Sequence, residues 1–294
     1  MKNKTADFPY HLTKFFTEYL PVQRNLSPNT ISSYRDTFRL LLMFFDEESH
    51  IKPNRLELDM INRSAVEDFL RWIKEKRNNS PSTCNQRLGA LKSFFLYLQF
   101  ALPDRSLQCQ EVLNIRQMKQ QTPELKYLTI EGIKFLLNQP DISTKYGRRD
   151  LALLSLMYDT GARVQEVAEI RISYIRFSAP ATIRLTGKGN KTRVVPILSR
   201  TEQILKQYIE EFKLVNRGNE TYLFLNRDGQ QLSRFGISYI LTKYADMARK
   251  ERPDLIPEKL SPHCLRHSKA MHLLQANVNL VYIRDLLGHT SITT

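Results

Sequence analysis

Across residues 9–24, Leu12, Phe15, Phe16, Tyr19 and Leu20 recur at three- and four-residue spacing, the period of a helix with one buried face. A second helix opens at Ser27-Pro28, because serine caps a helix start well and the fixed φ of proline suits the first helical position. It continues through Ile31, Tyr34, Phe38, Leu41, Leu42 and Phe45. A third begins at Ser64 and carries Val66, Phe69, Leu70, Trp72 and Ile73; a fourth opens at Ser80-Pro81 or Ser82 and runs through Leu88, Leu91, Phe94, Phe95 and Leu98. No strand-like alternation interrupts them, so residues 1–110 are expected to form a bundle of about four helices.

Residues 103–123 lose the apolar period and collect Asp104, Arg105, Arg116, Lys119, Gln117, Gln120, Gln121 and Pro123, which places an interdomain linker at 111–123 and a second domain at 124–294. There the pattern changes. A helix starts at Thr129, with Glu131 behind it, and an apolar helix over 150–158 ends at Asp159-Thr160-Gly161. Another begins near Ala162 and runs through Val164, Val167 and Ile170, with Arg163 in its first turn and Glu166 three residues on. Residues 173–177, 182–185 and 193–197 read as strands, and the last two flank Gly187-Lys188-Gly189-Asn190-Lys191 as a hairpin with Lys188 in its turn. Helices resume from about Thr201. The expected fold is mainly α, a helical bundle followed by a mostly helical domain with a small antiparallel sheet.

Charge narrows the partners. The chain carries 44 Lys+Arg against 30 Asp+Glu, a net +14 with pI near 9.7, which favours polyanions and nucleic acid first among them. Residues 1–110 hold 16 basic and 12 acidic groups (+4), leaving 28 and 18 (+10) for the remainder, so both domains are basic. In the bundle, two helix starts are polar: Thr30, Tyr34 and Arg35 follow the first Ser-Pro, while Thr83, Asn85, Gln86 and Arg87 follow the second. Such side chains read bases and phosphates when a helix end enters a major groove, although ordinary capping and a solvated face explain each helix equally well. Cys84, Cys109 and Cys264 form neither a disulfide framework nor a metal spacing, and the apolar run 40–45 is far too short to span a membrane. Met1 to Asp7 lead into no signal-like apolar core, so a cytoplasmic protein without membrane contact is expected.

The densest chemistry lies at Ser261-Pro262-His263-Cys264-Leu265-Arg266-His267-Ser268. A helix starting there puts His263 in its first turn and Arg266 on the same face, beside unpaired N–H groups suited to an anion. The hairpin's Gly-Lys-Gly run lacks the spacing of a phosphate loop and leads into a strand, which argues against nucleotide binding. Arg266 beside His263 and His267, with no carboxylate at metal spacing, argues against a metal site, and nothing supports Cys264 as a nucleophile. What remains is a set of cations and imidazoles without a carboxylate pair: Arg163, Lys188, His263, Arg266 and His289.

In order and spacing, Thr160-Gly161-Ala162-Arg163-Val164-Gln165-Glu166, the Gly187 to Pro196 segment, the His263 to Arg266 segment and Leu286-Leu287-Gly288-His289 resemble the tyrosine recombinases, the integrase and Xer-type site-specific DNA recombinases. The Ser27-Pro28-Asn29-Thr30 helix start and the bundle around it resemble that family's SAM-like core-binding domain, so the likeness spans nearly the whole chain. It implies an enzyme that cuts and rejoins DNA through a 3′-phosphotyrosyl intermediate and a Holliday junction, in integration, excision, transposition or dimer resolution. Arg163 and Arg266 would clamp the scissile phosphate, His263 act as base or phosphate donor, Lys188 as acid on the departing 5′-oxygen, and His289 as a further donor. Glu166 would orient Arg163, His267 would stand behind the catalytic groups, and Lys191 and Arg193 would join the DNA-binding set. No metal or other cofactor is implied. The implied partners are double-stranded DNA with inverted-repeat half-sites gripped by both domains, further copies of the chain from dimer to tetramer, and an accessory recombination protein; the implied location is the bacterial cytoplasm, at the nucleoid.

The family's nucleophilic tyrosine lies some residues beyond the Gly-His pair, where this sequence has Thr290, Ser291, Ile292, Thr293 and Thr294. The last tyrosine, Tyr282, is expected to pack on its own helix. The resemblance therefore implies that the 294-residue form stops before the nucleophile and binds DNA without cleaving it. The alternatives are a non-catalytic DNA-binding protein of the same fold, and a basic helical nucleic-acid-binding protein of another family.

Overall fold

The computed structural model describes residues 7–120 and 127–288, and the chain divides into two compact units, 1–123 and 124–294. The first unit opens with α1 (Asp7–Lys14), which continues as a π-helix (Phe15–Gln23) around Pro21. Proline cannot donate to the helix ladder, and the wider turn accommodates that loss: the Arg24 N–H donates five residues back to Tyr19 O at 2.9 Å. Ser27 and Ser80 cap α2 (Pro28–Ser49) and α4 (Pro81–Ala101), each hydroxyl accepting from the backbone N–H three residues on. The helix between them, α3 (Arg63–Glu75), is capped by Asn62, one turn-entry residue earlier than the serine pattern suggests.

Sequence periodicity misses α5 (Ser106–Leu113). Its apolar residues, Leu107, Cys109, Val112 and Leu113, form no clean helical stripe, and Leu107 is exposed, yet Cys109, Val112 and the following Ile115 are buried and α5 packs on α4. Residues 111–113, expected in a linker, are therefore helical. The bundle's core is aromatic: Phe94, fully buried, meets Phe15, Phe38 and Phe8 edge-on with centroids 5.1, 5.2 and 5.9 Å apart.

The second unit runs through α6 (Ile130–Leu137), α7 (Lys145–Thr160), α8 (Val164–Ala168), β1 (Ile175–Arg176), β2 (Thr182–Thr186), β3 (Thr192–Pro196), α9 (Ser199–Glu211), α10 (Arg234–Glu251), α11 (Pro262–Gln275) and α12 (Leu280–Leu287). Its central helix is α7, which carries buried Leu153, Leu154, Leu156 and Met157 and packs on α9 and α11. The antiparallel sheet has the order β1-β2-β3, and β2–β3 is in register Ile183↔Val195 and Leu185↔Arg193. The fold is thus mainly helical with one small antiparallel sheet, as the sequence pattern indicates. Among the described residues, no helix is long and apolar enough to cross a membrane.

Phe94→Ala removes the ring on which the first unit's core converges, at an expected cost of about 3–5 kcal/mol. Trp72, the one tryptophan of the chain, lies in that unit, so its fluorescence during denaturant unfolding measures the loss directly.

Candidate active site

Gly161 ends α7 with φ +57, a left-handed conformation that a side chain strains, and a Cβ there would stand 2.6 Å from Leu287 Cδ2. That turn aims the Gly161 carbonyl at Arg266, whose Nη1 donates to it at 2.7 Å. Two residues on, Arg163 occupies the N-cap of α8, and Glu166 in the first turn accepts its backbone N–H at 2.8 Å. Glu166 is the buried centre of the site. Its Oε1 also accepts from Arg163 Nη1 (3.0 Å) and Arg193 Nη1 (2.9 Å), and its Oε2 from Arg193 Nη2 (2.8 Å). Gly187, at the hairpin's base, comes so close that a Cβ would lie 2.8 Å from Glu166 Oε1.

The end of α12 closes the other side. Leu286 O accepts from Arg193 Nε at 2.8 Å, Leu287 O from Arg266 Nη2 at 2.6 Å, and Gly288 O from Arg163 Nη2 at 3.3 Å. A helix C-terminus presents unpaired carbonyls and partial negative charge, which three guanidinium groups satisfy here. Since Leu287 and Gly288 are adjacent, Arg266 and Arg163 are brought side by side. Arg266 is 2% exposed, and only two of its five N–H groups have a protein acceptor among the described residues. Arg163 is partly open to solvent.

Burial and the neighbouring Arg163 lower the Arg266 pKa to about 10, which leaves it charged at neutral pH. Burial alone would raise the Glu166 carboxyl, but the Arg193 fork and the Arg163 donors outweigh it and hold the carboxyl below its ordinary value near 4.5. His263, in the first turn of α11, reaches the surface with its ring edge-on to His267, centroids 4.5 Å apart. Partial burial of its ring, with His267, Arg266 and Arg163 nearby, lowers its pKa; partial burial and Arg266 do the same to His267. Neutral imidazoles beside charged arginines can accept a proton at physiological pH. Behind them, Asp159 accepts from Leu198 N–H at 2.7 Å and pairs with Lys269 at 3.4 Å, which locks α11 onto the end of α7.

Several residues lie elsewhere than expected. Arg193, expected to face DNA, points inward because it shares a face of β3 with buried Val195, two residues on, while Val194 between them is exposed, and it pairs with buried Leu185. Asn85, also expected to contact DNA, is buried, and its amide exchanges hydrogen bonds with the Met118 backbone at 2.9 and 2.8 Å. Arg87 turns to Ser33 O and Thr37 Oγ1, Gln86 donates to Ser33 Oγ, the Thr30 and Thr83 hydroxyls lie beside the capping serines, and Tyr34 stacks on Phe15. Arg35 and Lys191 are exposed. The Ser261 hydroxyl does not cap α11, and lies 3.3 Å from Cys264 Sγ instead. Tyr282, expected to pack, is 71% exposed, because the buried face of α12 is set by Ile283 and Leu287. Lys188 has its backbone in the β2–β3 turn, and His289 lies outside the described residues. Among the described residues, no cluster of His, Cys, Asp or Glu is arranged to hold a metal.

Residues 126–294 match the Phage integrase family model, and residues 14–100 match that of the Phage integrase N-terminal SAM-like domain. The chain belongs to the phage integrase family of tyrosine recombinases. The family member y4rC, a putative integrase/recombinase of Sinorhizobium fredii, is 37% identical over 99% of this chain and 87% of its own. Tyrosine recombinase XerD of Listeria monocytogenes is 31% identical over 96% and 91%. Among solved recombinase structures, XerH in a post-cleavage complex with palindromic difH substrate superposes with TM-score 0.74 at 22% identity (100% of this chain, 86% of that one). The Tn1549 transposon integrase with circular intermediate DNA gives 0.73 at 16% identity (99% and 94%).

Glu166→Gln keeps the volume of the carboxylate and removes its charge, at an expected cost of about 3–5 kcal/mol at neutral pH. The folded carboxyl has the lower pKa, so on acidification the unfolded chain protonates first. The stabilisation is therefore complete above pH 4.5 and lost as pH falls through the folded value. Denaturant unfolding of both proteins across that range should show the difference shrinking in acid, and a constant difference would contradict the ion-pair assignment.

Proposed function

We propose that this recombinase cuts and rejoins duplex DNA at inverted-repeat sites through a 3′-phosphotyrosyl intermediate and a Holliday junction, acting as a dimer to tetramer on DNA. What supports this reading is the pair of guanidiniums, Arg163 and Arg266, side by side beside His263, whose lowered pKa favours the neutral ring. Arginine forks match the non-bridging oxygens of a phosphodiester and oppose the charge that grows as the phosphorus becomes five-coordinate. The tyrosine oxygen bonds to phosphorus while the bond from phosphorus to the 5′-oxygen breaks. His263 takes the tyrosine proton, Lys188 supplies one to the departing 5′-oxygen, and His289 donates a further hydrogen bond to the phosphate. The phosphotyrosyl bond keeps the ester's energy for religation, so the step balances without a metal or nucleotide.

The solved relatives carry difH or transposon DNA. The basic charge of this chain extends the same partner class to it, with Arg35 and Lys191 exposed for backbone contact and Thr30, Tyr34, Thr83, Gln86 and Arg87 near the capped ends of α2 and α4. Residues 1–110 serve as the core-binding domain and 124–294 as the catalytic domain, working at the bacterial nucleoid with or without an accessory recombination protein. Within the 294 residues no tyrosine follows Tyr282.

The test is incubation of a nicked duplex bearing the cognate site with protein expressed from the whole reading frame, followed by a denaturing gel. A covalent adduct is expected. Arg163→Ala or Arg266→Ala should slow its formation about 10²–10³-fold, the usual loss for a transition-state donor. Wild-type adduct formation in either variant would overturn the assignment.

A further inference from the structure

Arg193 lies too deep to read DNA and too well bonded to be incidental. Its side chain is 13% exposed, and Nε, Nη1 and Nη2 all have protein acceptors on two different elements. Strand β3 carries it inward opposite Leu185, just beyond the turn that holds Lys188. Its fork meets both oxygens of Glu166, the carboxylate that also receives the backbone and side chain of Arg163. Its Nε meets the carbonyl of Leu286, three residues before His289 in the chain.

We propose that Arg193 is a positioning residue for the recombination reaction, fixing the Glu166 carboxylate and through it the direction in which Arg163 presents its guanidinium. This rests on the recombinase reading above. Through one side chain the hairpin, the start of α8 and the end of α12 are held in a single register. Glu166 Oε1 is shared between Arg163 and Arg193, so without Arg193 the carboxylate is free to swing about its side chain and take Arg163 with it. Only a planar fork grips both oxygens while a third N–H reaches a separate carbonyl; lysine keeps the charge and loses that geometry. Gly187, packed against the same oxygen, leaves no room for a compensating shift from the hairpin side.

The test uses protein from the whole reading frame carrying Arg193→Lys or Arg193→Gln, assayed on the nicked duplex in single-turnover conditions. Both variants should bind the duplex with wild-type affinity and salt dependence, and both should cleave about 10²-fold more slowly, the scale of a misplaced catalytic group. On a duplex whose scissile phosphate is a neutral methylphosphonate, which gives Arg163 less charge to meet, their deficit should narrow. A salt slope lowered by about one, with weaker binding, would make Arg193 a phosphate contact and overturn the proposal. So would wild-type cleavage by Arg193→Lys, or an equal deficit on the two substrates, which marks a merely structural residue. If the unsubstituted protein forms no adduct, the recombinase reading falls and this proposal with it; if it does, only the Arg193 assignment is at stake.

Discussion

One buried carboxylate organises this site. Glu166 sits beneath the surface with both oxygens engaged by Arg193, one of them shared with Arg163, and the other also holding the N–H that starts α8. A charge in that position is costly to bury alone, and removing any partner leaves an uncompensated ion. The consequence is geometric more than energetic. Segments near Arg163 and Arg193, apart in sequence, must meet before the charge is satisfied, and the same two arginines tie the end of α12 to them. A correctly formed arginine pair follows from that condition.

The same economy appears at the end of α12. Its last carbonyls and partial negative charge hold the donors of three arginines that would otherwise repel one another in a poorly solvated space. Gly161 makes the arrangement possible from below, since its left-handed turn directs a carbonyl at Arg266 and leaves room for Leu287. Arg266 is thereby fixed nearly out of contact with water with N–H groups to spare, while partial burial, together with His267 and the two arginines, lowers the pKa of His263. Positive charge that is rigid and already desolvated suits the stabilisation of a developing phosphorane, because little reorganisation is left for the reaction itself.

Much of this was legible in the residues. The Ser-Pro starts of α2 and α4, the helical period of the bundle and the hairpin around Lys188 follow from local rules, which depend on neighbours along the chain. What escaped depends on partners distant in sequence. α5 is short and its apolar residues make no clean helical stripe, so what holds it is its contact with α4. Asn85 reads as a polar helix start, yet it is buried because the Met118 backbone needs both halves of its amide. Arg193 shows the limit most clearly: strand period puts it on the face of buried Val195, but only the Glu166 carboxylate, distant in sequence, makes an inward arginine tolerable. Tyr282 is exposed because apolar neighbours in sequence do not place a ring on the buried face of α12, which Ile283 and Leu287 occupy.

The most direct measurement is the structure of the protein bound to a duplex carrying its site. One phosphodiester should lie within hydrogen-bonding distance of both Arg163 and Arg266, with His263 beside it and the Glu166–Arg193 fork unchanged behind. DNA held by the two units with no phosphate in reach of that arginine pair would contradict the assignment of this site.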